Sequence, residues 1–495
     1  MKRISIDPIT RLEGHGRIEI FLNDEGDVAN AYLQVPELRG FEQFCVGRPA
    51  EDMPVITNRI CGVCPEAHHL AATKALDDLF MTEPPRPAKL LRETLYSAFF
   101  CTDHTTHFYA LGGPDFIVGP DAAPSERNLL GVVRKVGLDA GQKVIATRKR
   151  NHGIIKMLGG RGVHPAAGLP GGWSKAIGEE ERLIIEQTAR ENIEFARFSL
   201  DVFDQIVLQN PVFSELLKSD IYLHRTYAMG TVDAQNRVNF YDGQIRVVDP
   251  EGVEVLKYAP RDYQKHIAER VESWTYMKFP YLRKIGWKGF GDGEESGVYC
   301  SSPLSRLNVS DSMATPLAQE EFTKFYAAFG GRMVNGRQAP IHHRLATHWA
   351  RLIELLYAAE RMLELARDPE ITSPNTRTIP TGEINPNGGI GSVEAPRGTL
   401  THHFEADKNG IITRVNLLVG TTNNNASMAM SVRRAAENFI KKGKVEQGLL
   451  NRVEMAFRLY DPCLSCATHN LPGETPMLVT IRNASGTIVE QIRRD

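Results

Sequence analysis

Four cysteines in two Cys-x-x-Cys pairs are the residues best placed to do chemistry. The first pair, Cys61 and Cys64, lies in Arg59-Ile60-Cys61-Gly62-Val63-Cys64-Pro65-Glu66-Ala67-His68; the second, Cys463 and Cys466, lies in Asp461-Pro462-Cys463-Leu464-Ser465-Cys466-Ala467-Thr468-His469. Four thiolates suit one soft metal. The pairs stand roughly 400 positions apart, but loop-closure entropy grows only slowly with length, so the separation is no objection. On spacing alone a structural zinc site and another thiolate-bound metal both stay open. Zinc modules usually bring their pairs together within a short stretch to staple a small fold, whereas a chain of 495 residues, 42% hydrophobic, has a core of its own. The other cysteines, Cys45, Cys101 and Cys300, read as buried structural thiols. They are too few to hold a four-cysteine iron–sulfur cluster.

The flanking residues say how the ligands are held. Pro65 fits the first turn of a helix running to about Phe80, which puts Cys64 at a helix N-terminus, where a thiolate is favoured. His68 follows one turn later, placed either to hydrogen-bond a metal-bound sulfur or to sit as a satisfied core histidine. Asp461-Pro462 reads as an N-cap followed by a first-turn proline, so Cys463 and Cys466 are expected on one face of a second helix, with His469 three residues further on.

Composition limits the class. Lysine plus arginine (58) nearly balances aspartate plus glutamate (60), a net charge of −2, so no global field points to nucleic acid or an anionic membrane. No apolar stretch reaches the ~20 residues of a membrane span, and no signal-like segment opens the chain, so it reads as cytoplasmic. A β-hairpin is expected within about 1–36, from alternation over Arg17–Leu22 and 29–35 around a turn at 23–26. Helical spacing covers about 88–150 and 175–218, separated by glycine-rich turns at 159–172. A turn-rich α/β region at about 228–312 reads as an insertion, followed by helices at 317–329 and 342–366. A hairpin around Lys408-Asn409-Gly410 then leads into helices over about 427–459. No repeat appears, and no Gly-x-Gly-x-x-Gly follows a strand, so no dinucleotide site is expected here. The fold class is α+β, mainly α: a core bundle of long helices with small peripheral β-sheets.

Together the motifs resemble a known family. The first pair is similar to the Arg-x-Cys-Gly-x-Cys-x-x-x-His signature, and the second to the Asp-Pro-Cys-x-x-Cys-x-x-His signature, of nickel-iron hydrogenase large subunits. Further segments resemble the family in the same order: Asp7-Pro8-Ile9-Thr10-Arg11-Leu12-Glu13-Gly14-His15, Arg39-Gly40-Phe41-Glu42, Asp103-His104, Glu394-Ala395-Pro396-Arg397-Gly398 and 417–423. Pro65-Glu66-Ala67-His68-His69, Ser273 to Tyr281 and the Cys-Ala-Thr-His ending look most like cytoplasmic, cofactor-linked members, which are NAD(P)-linked, bidirectional or electron-bifurcating.

The resemblance implies a single large catalytic unit over 1–469. Its reaction is reversible heterolytic cleavage of dihydrogen, the metal pair taking hydride and a nearby base the proton. Cys61, Cys64, Cys463 and Cys466 are expected to hold nickel, with Cys64 and Cys466 bridging to an iron that carries carbon monoxide and two cyanides. Arg397, with Pro396 before it, is expected over the open metal position, held by Asp103 and Asp461; a plain structural salt bridge is the alternative. Thr421 is expected to hydrogen-bond a cyanide, with Gly420 standing where many relatives have proline. Glu13, which alone would read as a surface glutamate, is expected to relay protons, with Cys466 as the thiol at the reacting centre. Glu42, the Leu417 carbonyl and His469 resemble ligands of a magnesium ion. Electrons are expected to leave through a small subunit carrying iron–sulfur clusters, with diaphorase-like subunits beyond it and NAD(P) or ferredoxin as carrier. A maturation endopeptidase and metallochaperones are implied, the former removing 470–495 after His469; a permanent C-terminal strand is the alternative. Rival readings are a regulatory relative that senses hydrogen and a metal-free or zinc-bearing structural relative.

Overall fold

In the computed structural model, residues 2–469, 477–482 and 487–494 are described. The N-terminal sheet holds β1 (Lys2–Ile6), β2 (Arg17–Leu22) and β3 (Val28–Gln34), antiparallel and in that order. Ile18, Ile20 and Leu22 alternate inward and are fully buried, as a strand with one covered face requires. The predicted hairpin therefore exists, with β1 added outside β2.

Short helix α1 (Phe41–Cys45) precedes α2 (Pro65–Leu79), which starts where Pro65 predicts, with Cys64 as its N-cap. The frame of the molecule is four long helices: α3 (Arg86–Thr106), α4 (Leu138–Gly159), α5 (Glu179–Phe203) and, much later, Thr347–Ala366. Each packs on two of the others, α3 on α4, α4 on α5, α5 on 347–366 and 347–366 on α3, so the bundle closes as a ring. The region expected as an insertion carries β4 (Tyr227–Val232), β5 (Gln244–Val248), β6 (Glu254–Tyr258), β7 (Ile267–Val271), β8 (Lys278–Leu282) and β9 (Tyr299–Cys300). β9, β4, β5 and β6 form one sheet, with β9 parallel to β4. Helices α6 (Pro303–Val309), α7 (Pro316–Ala328) and α8, the Thr347–Ala366 member of the bundle, follow. α8 begins five residues after the predicted start, because 344–346 form a tighter 3₁₀ turn.

The sheet that matters for the site is β10 (Gly389–Ala395), β11 (Gly398–Ala406) and β12 (Ile412–Leu418), antiparallel in chain order. It lies on α2 at very short range. A Cβ on Gly391 would sit 2.1 Å from the Ala71 carbonyl oxygen, and one on Gly389 2.1 Å from that of Ala75. Only glycine allows that approach. Helices α9 (Asn425–Phe439) and α10 (Gln447–Arg458) return the chain to the N-terminal sheet, where α9 packs on β3.

Residues 461–469 do not continue as a helix. Asp461 has a φ of +53°, and the segment runs as turns, with Cys463 bridging to Glu13 in β fashion. The expected N-cap is thus replaced by a left-handed corner, and the segment is tied to the N-terminal strand region as well as by turns of its own. Leu464 N–H donates to the Glu13 carbonyl (2.9 Å) and Glu13 N–H to that of Pro462 (3.4 Å). β13 (Met477–Arg482), where a strand was expected, pairs with β14 (Ile488–Arg494). The turn expected directly after His469 lies outside the described residues. No described helix is long and apolar enough to cross a membrane. The architecture is α+β and mainly helical.

Candidate metal centre

The two cysteine pairs meet. The four sulfurs lie within 4.8 Å of one another, all four residues are buried, and Cys61 Sγ is 3.4 Å from Cys463 Sγ, with Cys64 Sγ 3.6 Å from Cys466 Sγ. Among the described residues no other group of histidine, cysteine or carboxylate ligands comes together in this way. α2 delivers Cys64, the loop before it Cys61, and the 461–469 turns the second pair. The three remaining cysteines are buried thiols, as expected.

The electrostatics of this cluster call for a cation. The thiol of Cys61 is held well below its ordinary value, chiefly by hydrogen bonding from Cys463, and then from Cys466 and Cys64. Burial drives Cys463 and Cys466 well above theirs. Four adjacent buried sulfurs cannot all ionise unless positive charge sits among them. The favoured thiolate is Cys61 rather than Cys64, contrary to the expectation from the helix N-terminus: the N–H groups of Val63 and Cys64 both aim at Cys61 Sγ, at 3.2 and 3.3 Å. A soft metal held by thiolates fits this donor set.

A small cavity adjoins the sulfurs, lined by Cys64, His68, Ala395, Arg397, Thr421 and Cys463 among others. Arg397 occupies the turn between β10 and β11 and forms its roof. Its Nη1 lies 3.1 Å from Asp103 Oδ2, its Nη2 3.0 Å from Asp461 Oδ2, and its Nε donates to the Asp461 carbonyl at 2.6 Å. All three side chains are at least 96% buried. Although burial opposes the charge, the two carboxylates hold the guanidinium ionised. Burial pushes the Asp461 carboxyl up to about 7 in spite of Arg397. Thr421 Oγ1 faces the same cavity and accepts from Cys463 N–H at 3.2 Å. A Cβ on Gly420 would lie 2.7 Å from the Gly398 carbonyl, so the backbone behind Arg397 is closely packed here.

Glu13 meets the second pair at Cys463, not Cys466. Cys463 Sγ donates to Glu13 Oε2 at 2.9 Å, and Ser465 N–H reaches the same oxygen at 3.2 Å. The β bridge between Glu13 and Cys463 sets this register, so Cys463 is the sulfur that meets Glu13, while Cys466 was the thiol expected at the reacting centre. Gly14 is required beside it: at φ +87° its Cβ would lie 2.8 Å from Ser465 N.

The observed partner of His68 is a histidine, not a sulfur. His68 Nδ1 is 3.0 Å from His402 Nε2, and His68 Nε2, on the cavity side, has no hydrogen-bond partner among the described residues. Burial depresses its pKa to about 4, so it is neutral.

Of the three groups expected around a second cation, Glu42 is buried, with Oε1 accepting from Leu417 N–H at 2.8 Å and Oε2 3.9 Å from Lys278 Nζ. His469 is buried against the Phe41 ring, and neither of its ring nitrogens has a hydrogen-bond partner among the described residues. A buried carboxylate on α1, and a buried imidazole against the Phe41 ring that no described residue bonds, are donor types that fit a hard cation. The contact observed at Leu417 is through its N–H; the expectation concerned its carbonyl.

Several buried residues behind the roof escaped sequence reasoning. Arg306 on α6 pairs with Glu354 on α8 (2.6 Å) and Glu394 (3.0 Å), and donates to the carbonyls of Ala395 (2.9 Å) and Pro396 (3.1 Å). His104 Nε2 meets Glu354 Oε2 at 3.1 Å, and Arg351 reaches the same turn from α8. The available signal was Arg351 and Glu354 within an otherwise apolar helical run.

Known proteins agree with this geometry. The profile of the family described as nickel-dependent hydrogenase matches residues 39–130 and 292–469, and one described as HoxL-like matches 3–38. The chain is 47% identical over 494 residues, covering 100% of both chains, to an iron-sulfur subunit of the F420-non-reducing hydrogenase of Archaeoglobus profundus. It is 36% identical over 511 residues, again covering 100% of both, to the beta subunit of the NAD-reducing hydrogenase HoxS of Cupriavidus necator. Among solved structures, an NAD+-reducing [NiFe]-hydrogenase in the H2-reduced state superposes with a TM-score of 0.85 at 35% identity, over 95% of this chain and 100% of that one.

Proposed function

This chain belongs to the nickel-dependent hydrogenase family and is the catalytic large subunit of a nickel-iron hydrogenase; from that premise we propose how its own residues divide the work of H2 ⇌ 2H⁺ + 2e⁻. The observation that carries the reading is the set of four buried sulfurs within 4.8 Å, roofed by a charged arginine and touched on one side by a carboxylate. Cys61, Cys64, Cys463 and Cys466 would hold nickel, and Cys64 and Cys466 would also hold an iron carrying carbon monoxide and two cyanides. When bound, the metals supply the electrophile that H2, far too weak an acid to ionise unaided, requires.

The chain does the rest. Cys463 Sγ holds the proton released at the centre and Glu13 Oε2, 2.9 Å away, takes it outward, a distance suited to direct transfer. Arg397 presents a fixed cationic fork to the cavity, and the two carboxylates that bind it leave it little freedom to turn away. Pro396, ahead of it, has its carbonyl gripped from behind by Arg306. Thr421 would supply a hydroxyl to one cyanide, and His68, which also lines the cavity, a neutral imidazole. Glu42, His469 and the Leu417 carbonyl would hold magnesium, which would tie the 461–469 segment to α1 and β12.

Electrons pass to a partner chain with iron–sulfur clusters, since Cys45, Cys101 and Cys300 cannot build one here. Onward transfer to a soluble carrier such as NAD(P) or ferredoxin, through diaphorase-like subunits, follows the relatives named for NAD reduction. Residues 470–495 are removed after His469 once the metals are in place; intact-mass measurement of active enzyme that still shows all 495 residues would reject this.

The test of the whole reading is an infrared spectrum of the anaerobically purified complex where metal-bound carbon monoxide and cyanide absorb. Bands from both ligands are expected. Their absence from fully metal-loaded protein would remove the iron centre proposed here.

A further inference from the structure

The residue that sets the position of the roof is not in the roof. Arg351 on α8 is 1% exposed, and its guanidinium reaches both chain segments from which the roof is made. Nη2 donates to the Leu459 carbonyl at 2.9 Å, Nη1 to the Pro396 carbonyl at 3.3 Å, and Nη1 stands 3.6 Å from Asp461 Oδ2. Pro396 precedes Arg397, and Leu459 lies two residues before Asp461. One planar fork therefore bridges the β10–β11 turn to the start of the segment bearing the second cysteine pair.

We propose that Arg351 is a positioning residue of the metal centre, which fixes where the Arg397 guanidinium lies over the cavity by joining the Pro396 and Leu459 carbonyls and sharing the Asp461 carboxylate. Three further observations support this. Asp461 is held at φ +53°, a conformation a residue with a side chain adopts at a cost, so an external tie is needed to keep it there. The Asp461 carboxylate lies between two arginines, Arg397 at 3.0 Å and Arg351 at 3.6 Å, so removing one changes the pull of the other. Arg306 grips the Pro396 carbonyl as well, but its remaining bonds run to Glu354, Glu394 and Ala395; of the two, it is Arg351 that bonds the 459–461 segment. Arg306 anchors the turn to the helices, and Arg351 sets the turn against the cysteines.

The role needs the fork. A lysine at 351 keeps a charge near Asp461 but cannot bond two carbonyls in fixed directions. A methionine keeps bulk and loses both the charge and the bonds. The inference rests on the reading that Arg397 acts at the open metal position, and the test separates the two.

The full complex is prepared with Arg351→Lys and Arg351→Met, with Arg397→Lys as reference, and nickel and iron are counted in each. Metal content is expected to stay at the wild-type level. Misplacement by about 1 Å can cost about 10²-fold in rate, so Arg351→Met is expected to lose turnover on that order with KM for H2 little changed. Its carbon monoxide and cyanide bands should move in the same direction as those of Arg397→Lys, and Arg351→Lys should recover part of both. In the metal-free chain, amide exchange over 396–398 and 459–463 is expected to quicken in both variants. Unshifted bands with wild-type turnover in Arg351→Met overturn the proposal. So does loss of metal in both variants, which would make Arg351 a structural residue only. If wild type itself shows no bands, the iron reading fails instead, and amide exchange decides on Arg351: unchanged protection of 459–463 would overturn its positioning role.

Discussion

Above the four sulfurs, Arg397 is paired on both sides by Asp103 and Asp461 and anchored again through the Asp461 backbone. In the neighbouring corner, His469 lies fully inside the protein with no hydrogen-bond partner among the described residues for either ring nitrogen. Both regions bury polar groups deeply, at a cost that a partner must offset. The roof finds its partners within the chain. In the corner, no described residue offers the His469 ring a hydrogen bond. The two regions thus differ in how much of their buried polarity the described residues satisfy.

The largest way to break this contrast is to remove a sulfur. Cys463→Ser in the full complex is expected to reduce bound nickel to background while the roof persists, so the metal-free variant should unfold within a few degrees of metal-free wild type. A large drop in the melting temperature of the metal-free variant would show that the sulfur cluster itself, not the arginine network, organises the region. Next comes Glu13→Gln, which keeps the shape and the Ser465 contact but removes a proton acceptor. General-base contributions run to about 10²–10⁴-fold, so H2/D2 exchange should fall by that order with metal content unchanged. Near-normal exchange would take Glu13 out of the path.

A bonded histidine gives the control for the bare one. Gly168 N–H donates to His69 Nε2 at 2.9 Å, so that nitrogen is unprotonated and Nδ1–H donates to the Pro54 carbonyl at 3.0 Å. Burial lowers the His69 pKa from 6.5 to about 4. Between those values the unfolded chain binds the proton and the folded chain does not. The contribution is therefore complete above pH 6.5 and is lost as pH falls toward 4, by up to about 3 kcal/mol. His69→Gln should flatten the stability–pH curve of the metal-free chain in that window; an unchanged slope would mean that His69 is not what titrates.

Much of this was legible in the residues. The first cysteine pair with Pro65 and the hairpin at 408–410 carry local information and lie where their spacing places them, while the Glu394–Gly398 motif was legible only through the family resemblance. What was not legible depends on distant partners. Cys463 and Cys466 read as helical because Asp-Pro is a good helix start, yet a β bridge to Glu13 prevails over local preference. His68 read either as a sulfur contact or as a satisfied core histidine, and nothing near it in sequence announces His402. Sequence reasoning did not single out Arg351 and Glu354, and only the fold shows what they hold.

The corner offers the finest test of the comparison. If His469 and Glu42 share a hard cation, magnesium must bind the folded state and not the unfolded one, and stability must rise with its concentration. At about 100 times Kd the gain is about 2.7 kcal/mol. The metal-free chain titrated with magnesium chloride should show that rise in melting temperature, and His469→Ala should abolish it while leaving the roof intact, because the roof is held by Arg397 and its two carboxylates, and His469 has no hydrogen-bond partner among the described residues. The pH dependence has a definite sign: burial lowers the His469 pKa to about 3, so in the fold the imidazole is a neutral ligand through the whole range in which the protein is stable. Magnesium binding should therefore not weaken between pH 8 and 6, as it would at an exposed histidine titrating near 6.5. A magnesium response that survives His469→Ala would place the ion elsewhere and leave the unpartnered imidazole to be explained by water, erasing the difference between the two regions.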